Sequence, residues 1–240
     1  MVSEEFISNL AVKYQTNELN VRREYFQHLF LSYFYQQSES AKIYFKGGTA
    51  LRILYNSPRF SEDLDFNSPL INFKEIEDLL LDTLAQMEKE NVAFSLKEAK
   101  QTSGGFLGAV SFEAFEQPVE IRIEVSFRKA DKIGETVAIT GNDYVPPYNV
   151  IAVTEKELIA GKIRALLDRK KPRDFYDLYF ILRKQLPIPN KKTVLTQAQA
   201  NLSASKINFD VELKQFLPKS HWIIIKDFKQ TLKREIDRSI

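Results

Sequence analysis

The chain has 240 residues, enough for one catalytic-size domain with a large appendage or for two small domains. Its 44% hydrophobic and 28% charged residues, with only 8 Gly and 9 Pro, exclude collagen-like, low-complexity and disordered classes, and the absence of Cys excludes disulfides, a thiolate zinc site and a Cys nucleophile. The net charge of +2 divides unevenly: residues 1–155 hold 15 Lys and Arg against 23 Asp and Glu (−8), and residues 156–240 hold 19 against 9 (+10), so an acidic part is joined to a basic part that attracts phosphates.

Glu4 and Glu5 stand where a secretory signal would be basic, and a cytoplasmic location without membrane attachment is expected. Residues 19–35 repeat apolar side chains at Val21, Tyr25, Phe26, Leu29, Phe30, Tyr33 and Phe34, the spacing of a helix that packs on the core. Ile43 to Phe45 predicts a short strand ending at Gly47 and Gly48, with Thr49 capping a helix that Pro58 ends. Phe60 to Phe66 reads as a strand with Asp63 and Asp65 on one face. Phe73 to Glu90 is a strong helix, apolar at Ile76, Leu79, Leu80, Leu84 and Met87. Val92–Glu98, Phe106–Phe115 and Val119–Phe127 then predict an antiparallel meander, its third strand alternating most regularly. Residues 131–153 read as irregular, which sets the expected domains at 1–150 and 151–240. Beyond them the sequence reads helical. Thr154 and Glu157 form a capping box, Pro172 suits the first turn of a further helix, and residues 191–240 offer two or three weaker helices interrupted by Pro218.

The segment Lys46-Gly47-Gly48-Thr49 followed by Asp63-Leu64-Asp65 carries the chemistry. Two carboxylates at i and i+2 on a strand share a face and repel unless a cation sits between them. Mg²⁺ is suited to that place, because it takes one or two carboxylates and completes its shell with substrate phosphate oxygens. A glycine pair at a strand-to-helix turn lets backbone N–H groups approach a phosphate. Glu124, central on the polar face of the third meander strand, is the best third carboxylate and Glu120 the next; the bland alternative for Glu124 is a surface ion pair with Arg122 or Arg128. Arg52 and Arg59 could contact phosphate or merely balance the acidic strand. His28 and His221 have no neighbouring ligand at metal spacing and read as structural or exposed.

The blocks Lys46-Gly-Gly-Thr-Ala-Leu-Arg52, Arg59-Phe-Ser-Glu-Asp-Leu-Asp-Phe66, Glu157-Leu-Ile-Ala-Gly-Lys-Ile-Arg-Ala-Leu-Leu-Asp-Arg169 and Pro172-Arg-Asp-Phe-Tyr-Asp-Leu178 resemble, in this order, the nucleotidyltransferase-like toxins of the AbiEii family, the toxin half of bacterial abortive-infection toxin–antitoxin systems. The resemblance implies an α+β fold: a polymerase-beta-like nucleotidyltransferase core, a mixed sheet flanked by helices, followed by an α-helical C-terminal domain. Gly48 replaces the Ser usual in that superfamily and removes a hydroxyl that could contact phosphate. The resemblance further implies that Gly47, Gly48 and Thr49 cradle the triphosphate, that Asp63, Asp65 and Glu124 hold Mg²⁺ or Mn²⁺, and that Lys162 neutralises phosphate charge. Asp174 would orient Lys162 or assist proton transfer, with Arg59, Arg173 and Asp177 at the nucleotide; a Lys–Asp network that simply ties two helices together is the plain alternative for Asp177 and Lys162.

The function so implied is transfer of NMP from an NTP to an acceptor, RNA and specifically a tRNA 3′ end, by a toxin neutralised by a cognate antitoxin encoded beside it. Two other readings stand beside it: transfer to a protein or small molecule, and a catalytically silent nucleotide- or RNA-binding module on the same fold.

Overall fold

The computed structural model describes residues 1–69, 72–113, 115–127 and 134–240. They form two compact units: Met1–Asn56 with Phe60–Val153, and Ser57–Arg59 with Thr154–Ile240.

The first unit runs α1 (Glu4–Lys13), α2 (Glu18–Phe34), β1 (Tyr44–Lys46), α3 (Gly47–Tyr55), β2 (Leu64–Ser68), α4 (Phe73–Lys89), β3 (Phe94–Thr102), β4 (Gly105–Phe112), β5 (Val119–Phe127), β6 (Glu135–Ile139) and β7 (Tyr148–Ala152). The strands make one mixed sheet in the order β3-β4-β5-β2-β1-β7-β6. The expected antiparallel meander is present as β3, β4 and β5. Beyond it β5 pairs in parallel with β2, β2 antiparallel with β1, and β1 in parallel with β7, which closes an antiparallel pair with β6. Along β5 the two-residue period is plain: Val119, Ile121, Ile123 and Val125 are buried while Glu120, Arg122 and Glu124 are exposed. Helix α2 packs on the apolar side, where Phe26 stacks on Phe112 with ring centroids 4.5 Å apart. It is buried around most of its circumference, so Glu24 and His28 point inward together with the aromatic residues and must find polar partners there.

Four local expectations are corrected. Helix α3 starts at Gly47, with extended Lys46 as its cap residue, so Thr49 lies inside the first turn and does not cap it. The helix is stopped by Asn56 in the left-handed region (φ 60°), two residues before Pro58, because Asn tolerates that conformation and its amide closes on the Leu51 carbonyl. The expected strand 60–66 lies further along, at Leu64–Ser68. Residues 131–153, read as irregular, hold β6 and β7; Gly141 and the Pro pair punctuate the connection between these two strands.

The second unit is helical: α5 (Glu155–Arg169), α6 (Pro172–Arg183), α7 (Lys191–Ala204), α8 (Phe209–Lys214), α9 (Trp222–Lys226) and α10 (Phe228–Asp237). The Thr154–Glu157 capping box opens α5, Lys170 at φ 53° ends it, and Pro172 opens α6. Four helices follow residue 190 where two or three were expected; α8 and α9 are too short for periodicity to reveal, and α8 is held on α10 by tertiary packing, with Phe209 and Phe228 ring centroids 4.9 Å apart. The mixed sheet flanked by helices, followed by helices, is the α+β architecture expected.

Candidate functional site

At the end of β1 the chain turns into α3 through Gly47, whose φ of +86° is open to glycine and costly for other residues. The close approach there is as important as the backbone angle. A Cβ on Gly47 would lie 2.0 Å from Asp65 Oδ2 and 2.6 Å from Asp65 Cβ, so the Asp65 side chain packs directly on the glycine backbone at the start of α3. Asp65 sits there because β1 and β2 pair with Lys46 opposite Asp65. The same register continues across β2 to β5, where Asp65 is opposite Glu124. Lys46, Asp65 and Glu124 therefore form one lateral row over three adjacent strands, on the face opposite the buried Leu64, Phe66, Ile123 and Val125.

Asp63 precedes β2 and keeps the i, i+2 relation to Asp65; both are half-buried, flanking the buried Leu64. Its backbone carbonyl accepts a hydrogen bond from the buried Thr49 hydroxyl, which ties the first turn of α3 to the carboxylate pair. Glu124 is exposed. Its suggested partner Arg122 instead lies 3.5 Å from Glu120, and Arg128 lies outside the described residues. The sequence reading left aside Lys46 and Ser126, which share this face: Lys46 Nζ donates to Ser126 Oγ at 3.1 Å across β2. Alternation along β1 and β5 was the available signal, and it needed the register to be read. Among the described residues no three His, Asp or Glu side chains are gathered as a ready metal cage.

Arg52, on α3, does not face this row; it forks onto Glu24, with Nη2 2.9 Å from Oε2, and lies 3.6 Å over the Phe60 ring. Tyr144 also donates to Glu24 at 2.8 Å. His28 Nδ1 lies 2.7 Å from the Tyr148 hydroxyl, and burial lowers its pKa to about 4, so it is neutral at pH 7.

In the second unit Asp177 is the centre of a buried triad. Its carboxylate accepts from Lys162 Nζ at 2.7 Å and from Arg59 Nε and Nη2 at 2.8 and 3.1 Å. Burial alone would raise the Asp177 carboxyl; the Arg59 guanidinium and the Lys162 ammonium outweigh it and bring the pKa down to about 2. Asp174 has other partners: Arg169 Nη2 and Nε at 2.7 and 3.0 Å and the Lys171 amide at 3.1 Å. The carboxylate that orients Lys162 is thus Asp177. Arg173, immediately before Asp174 on α6, is half-buried. His221 Nδ1 lies 2.8 Å from the Tyr176 hydroxyl.

The family model described as nucleotidyl transferase AbiEii toxin of type IV toxin–antitoxin systems matches residues 29–238. No curated protein sequence matches the chain. Among solved structures, JHP933 from Helicobacter pylori is similar with a TM-score of 0.54 at 18% identity, over 93% of this chain and 95% of that one. A second H. pylori structure, of a candidate nucleotidyltransferase, is similar with a TM-score of 0.50 at 18% identity, over 99% of this chain and 98% of that one. At such identity the two structures speak for the fold, while the family match spans most of the first unit and nearly all of the second. The chain belongs to the AbiEii family of nucleotidyltransferase toxins of type IV toxin–antitoxin systems.

Proposed function

We propose that the protein transfers a nucleotidyl group from an NTP to RNA, at a tRNA 3′ end, and that its toxicity follows from this transfer. The observation that carries the reading is the Asp65 carboxylate packed on Gly47 at the entrance to α3, with Asp63 one step back and Glu124 alongside. In the reaction an acceptor hydroxyl oxygen forms a bond to the α-phosphorus. The bond from that phosphorus to the α,β-bridging oxygen breaks, pyrophosphate leaves, and the hydroxyl proton passes to a base or to water.

The donor set fits a hard divalent cation: Asp63, just before β2, and Asp65, on it, supply two half-buried carboxylates two residues apart, and a pair completed by substrate phosphates is what Mg²⁺ or Mn²⁺ takes in nucleotide sites. Asp63, Asp65 and Glu124 would hold it, and when bound it supplies charge neutralisation at the phosphates and polarisation of the acceptor oxygen. The chain's own residues do the rest. Gly47 and Gly48 let the backbone approach the triphosphate, Thr49 fixes Asp63 through its carbonyl, and Asp65 is held in place by the glycine beneath it. Within the second unit Asp177, fixed by Arg59, holds the Lys162 ammonium in one orientation, and Asp174 caps α6 and fixes Arg169. The +10 charge of residues 156–240 supports an RNA acceptor. In this reading a cognate antitoxin restrains the activity, and NTP and RNA substrates are consistent with a cytoplasmic location.

The test is transfer from labelled NTPs to total RNA, and separately to protein, by wild type and Asp63→Ala, alongside growth of cells expressing each. Label should enter RNA with wild type only, and growth arrest should disappear with the substitution. Growth arrest by Asp63→Ala would refute the enzymatic reading, and label in protein alone would refute the RNA acceptor.

A further inference from the structure

The Lys46 ammonium is so far unused. Lys46 ends β1 and is the cap residue of α3; its lateral neighbours on the same face are Asp65 and then Glu124, and its Nζ donates to Ser126 Oγ at 3.1 Å. A half-buried ammonium stretched over β2 toward β5 is thus placed on the sheet face that carries Asp65 and Glu124, directly before the Gly47 turn. Electrostatics require something there: three carboxylates and a polyphosphate repel one another unless cations lie among them. A long, flexible stem lets an ammonium exchange partners as a point charge. The hydroxyl of Ser126 is a neutral acceptor, and an anionic phosphate oxygen forms the stronger, charge-assisted bond.

We propose that Lys46 is a nucleotide-binding residue: its ammonium rests against Ser126 and the carboxylate face in the free protein and moves onto a phosphate oxygen of the incoming NTP. This rests on the nucleotidyl-transfer reading and adds to it a named phosphate ligand in the first unit. It also explains why Lys, rather than any extended residue, occupies the α3 cap position, where its side chain makes no capping hydrogen bond. Ser126 then serves as the resting partner, and its removal leaves the ammonium more available.

The experiment measures equilibrium binding of fluorescent NTP analogues, without an acceptor, to the full-length wild type, Lys46→Met, Lys46→Arg and Ser126→Ala, with thermal unfolding of each. Lys46→Met should weaken binding about tenfold or more, the loss of one charge-assisted bond to phosphate. Lys46→Arg should stay within about threefold of wild type, and Ser126→Ala should bind as tightly as wild type or up to about threefold tighter. Unchanged affinity in a folded Lys46→Met overturns the proposal and leaves Lys46 with a structural role on the sheet face. If Lys46→Met does not fold, weakened binding by a folded Ser126→Ala overturns it, because the hydroxyl would then be the binding group. A wild type that binds no NTP refutes the nucleotidyl-transfer reading itself, an outcome distinct from a binding wild type with an indifferent Lys46→Met.

Discussion

Replacing Gly47 with Ala tests the geometry on which the site rests. Two costs are separable. Holding a residue with a Cβ at φ +86° costs about 1–3 kcal/mol in the backbone alone. The added methyl would also lie 2.0 Å from Asp65 Oδ2 and 2.7 Å from Asp65 Cγ. Ordinary contact requires about 3.4 Å or more, so the carboxylate or the first turn of α3 must move by roughly 1.4 Å. A displacement of about 1 Å in a group that positions reacting atoms costs about a hundredfold in rate, so transfer from labelled NTP should fall by that factor or more. Stability should fall as well, by about 2–12 °C in thermal unfolding from the backbone cost alone, since a unit of this size loses about 2–4 °C per kcal/mol. Gly104→Ala is the control, because a Cβ there meets nothing within 4 Å and should leave both measurements unchanged. A Gly47→Ala protein with transfer within threefold of wild type would refute the placement of Asp65 at the reacting centre.

Asp177→Asn keeps the shape of the buried triad but removes the negative charge shared by Arg59 and Lys162; breaking a buried pair costs about 3–5 kcal/mol, to be read as a lower midpoint in thermal or urea unfolding, and an unchanged midpoint would show the triad to be energetically idle. His28, with a folded pKa of about 4 against 6.5 when unfolded, binds its proton more weakly in the folded state, so its contribution is present above pH 6.5 and is lost as pH falls toward 4. At pH 5 the loss is about 2 kcal/mol relative to pH 7, and urea unfolding of His28→Gln should lack this component of the pH dependence. Transfer to RNA should fall at least tenfold between 50 and 200 mM salt if as few as about three phosphates are contacted, whereas a flat response would remove the basic residues after 155 from the acceptor site.

Much of the fold was legible because its signals are local. The alternation along Val119–Phe127, the apolar spacing of Phe73–Lys89 and the Thr154–Glu157 box each specify an element without reference to the rest of the chain. Illegible features were those set by distant partners. Strands β6 and β7 were missed because the Gly- and Pro-rich stretch between them hides two five-residue strands, one of which earns its place by pairing with β1. Thr49 was misread as a cap because its hydroxyl has a tertiary partner, the Asp63 carbonyl, that propensity cannot see.

The carboxylate set shows the same division at the level of chemistry. Asp63 and Asp65 are neighbours by sequence, two residues apart at the start of β2. Glu124 joins them only through the parallel pairing of β2 with β5; a slip of one residue would put Arg122's side of the alternation out of step and turn Ile123 or Val125 toward Asp65. That register is enforced by burial of Leu64, Phe66, Ile123 and Val125 on the opposite face, each exposed between 0 and 3%. Moving those four side chains into water would cost about 1.5–3 kcal/mol apiece, far more than mutual repulsion of surface carboxylates can oppose. The hydrophobic core thus holds like charges side by side, and it is the same pairing that sets Lys46 opposite Asp65 and so carries a cation into their midst.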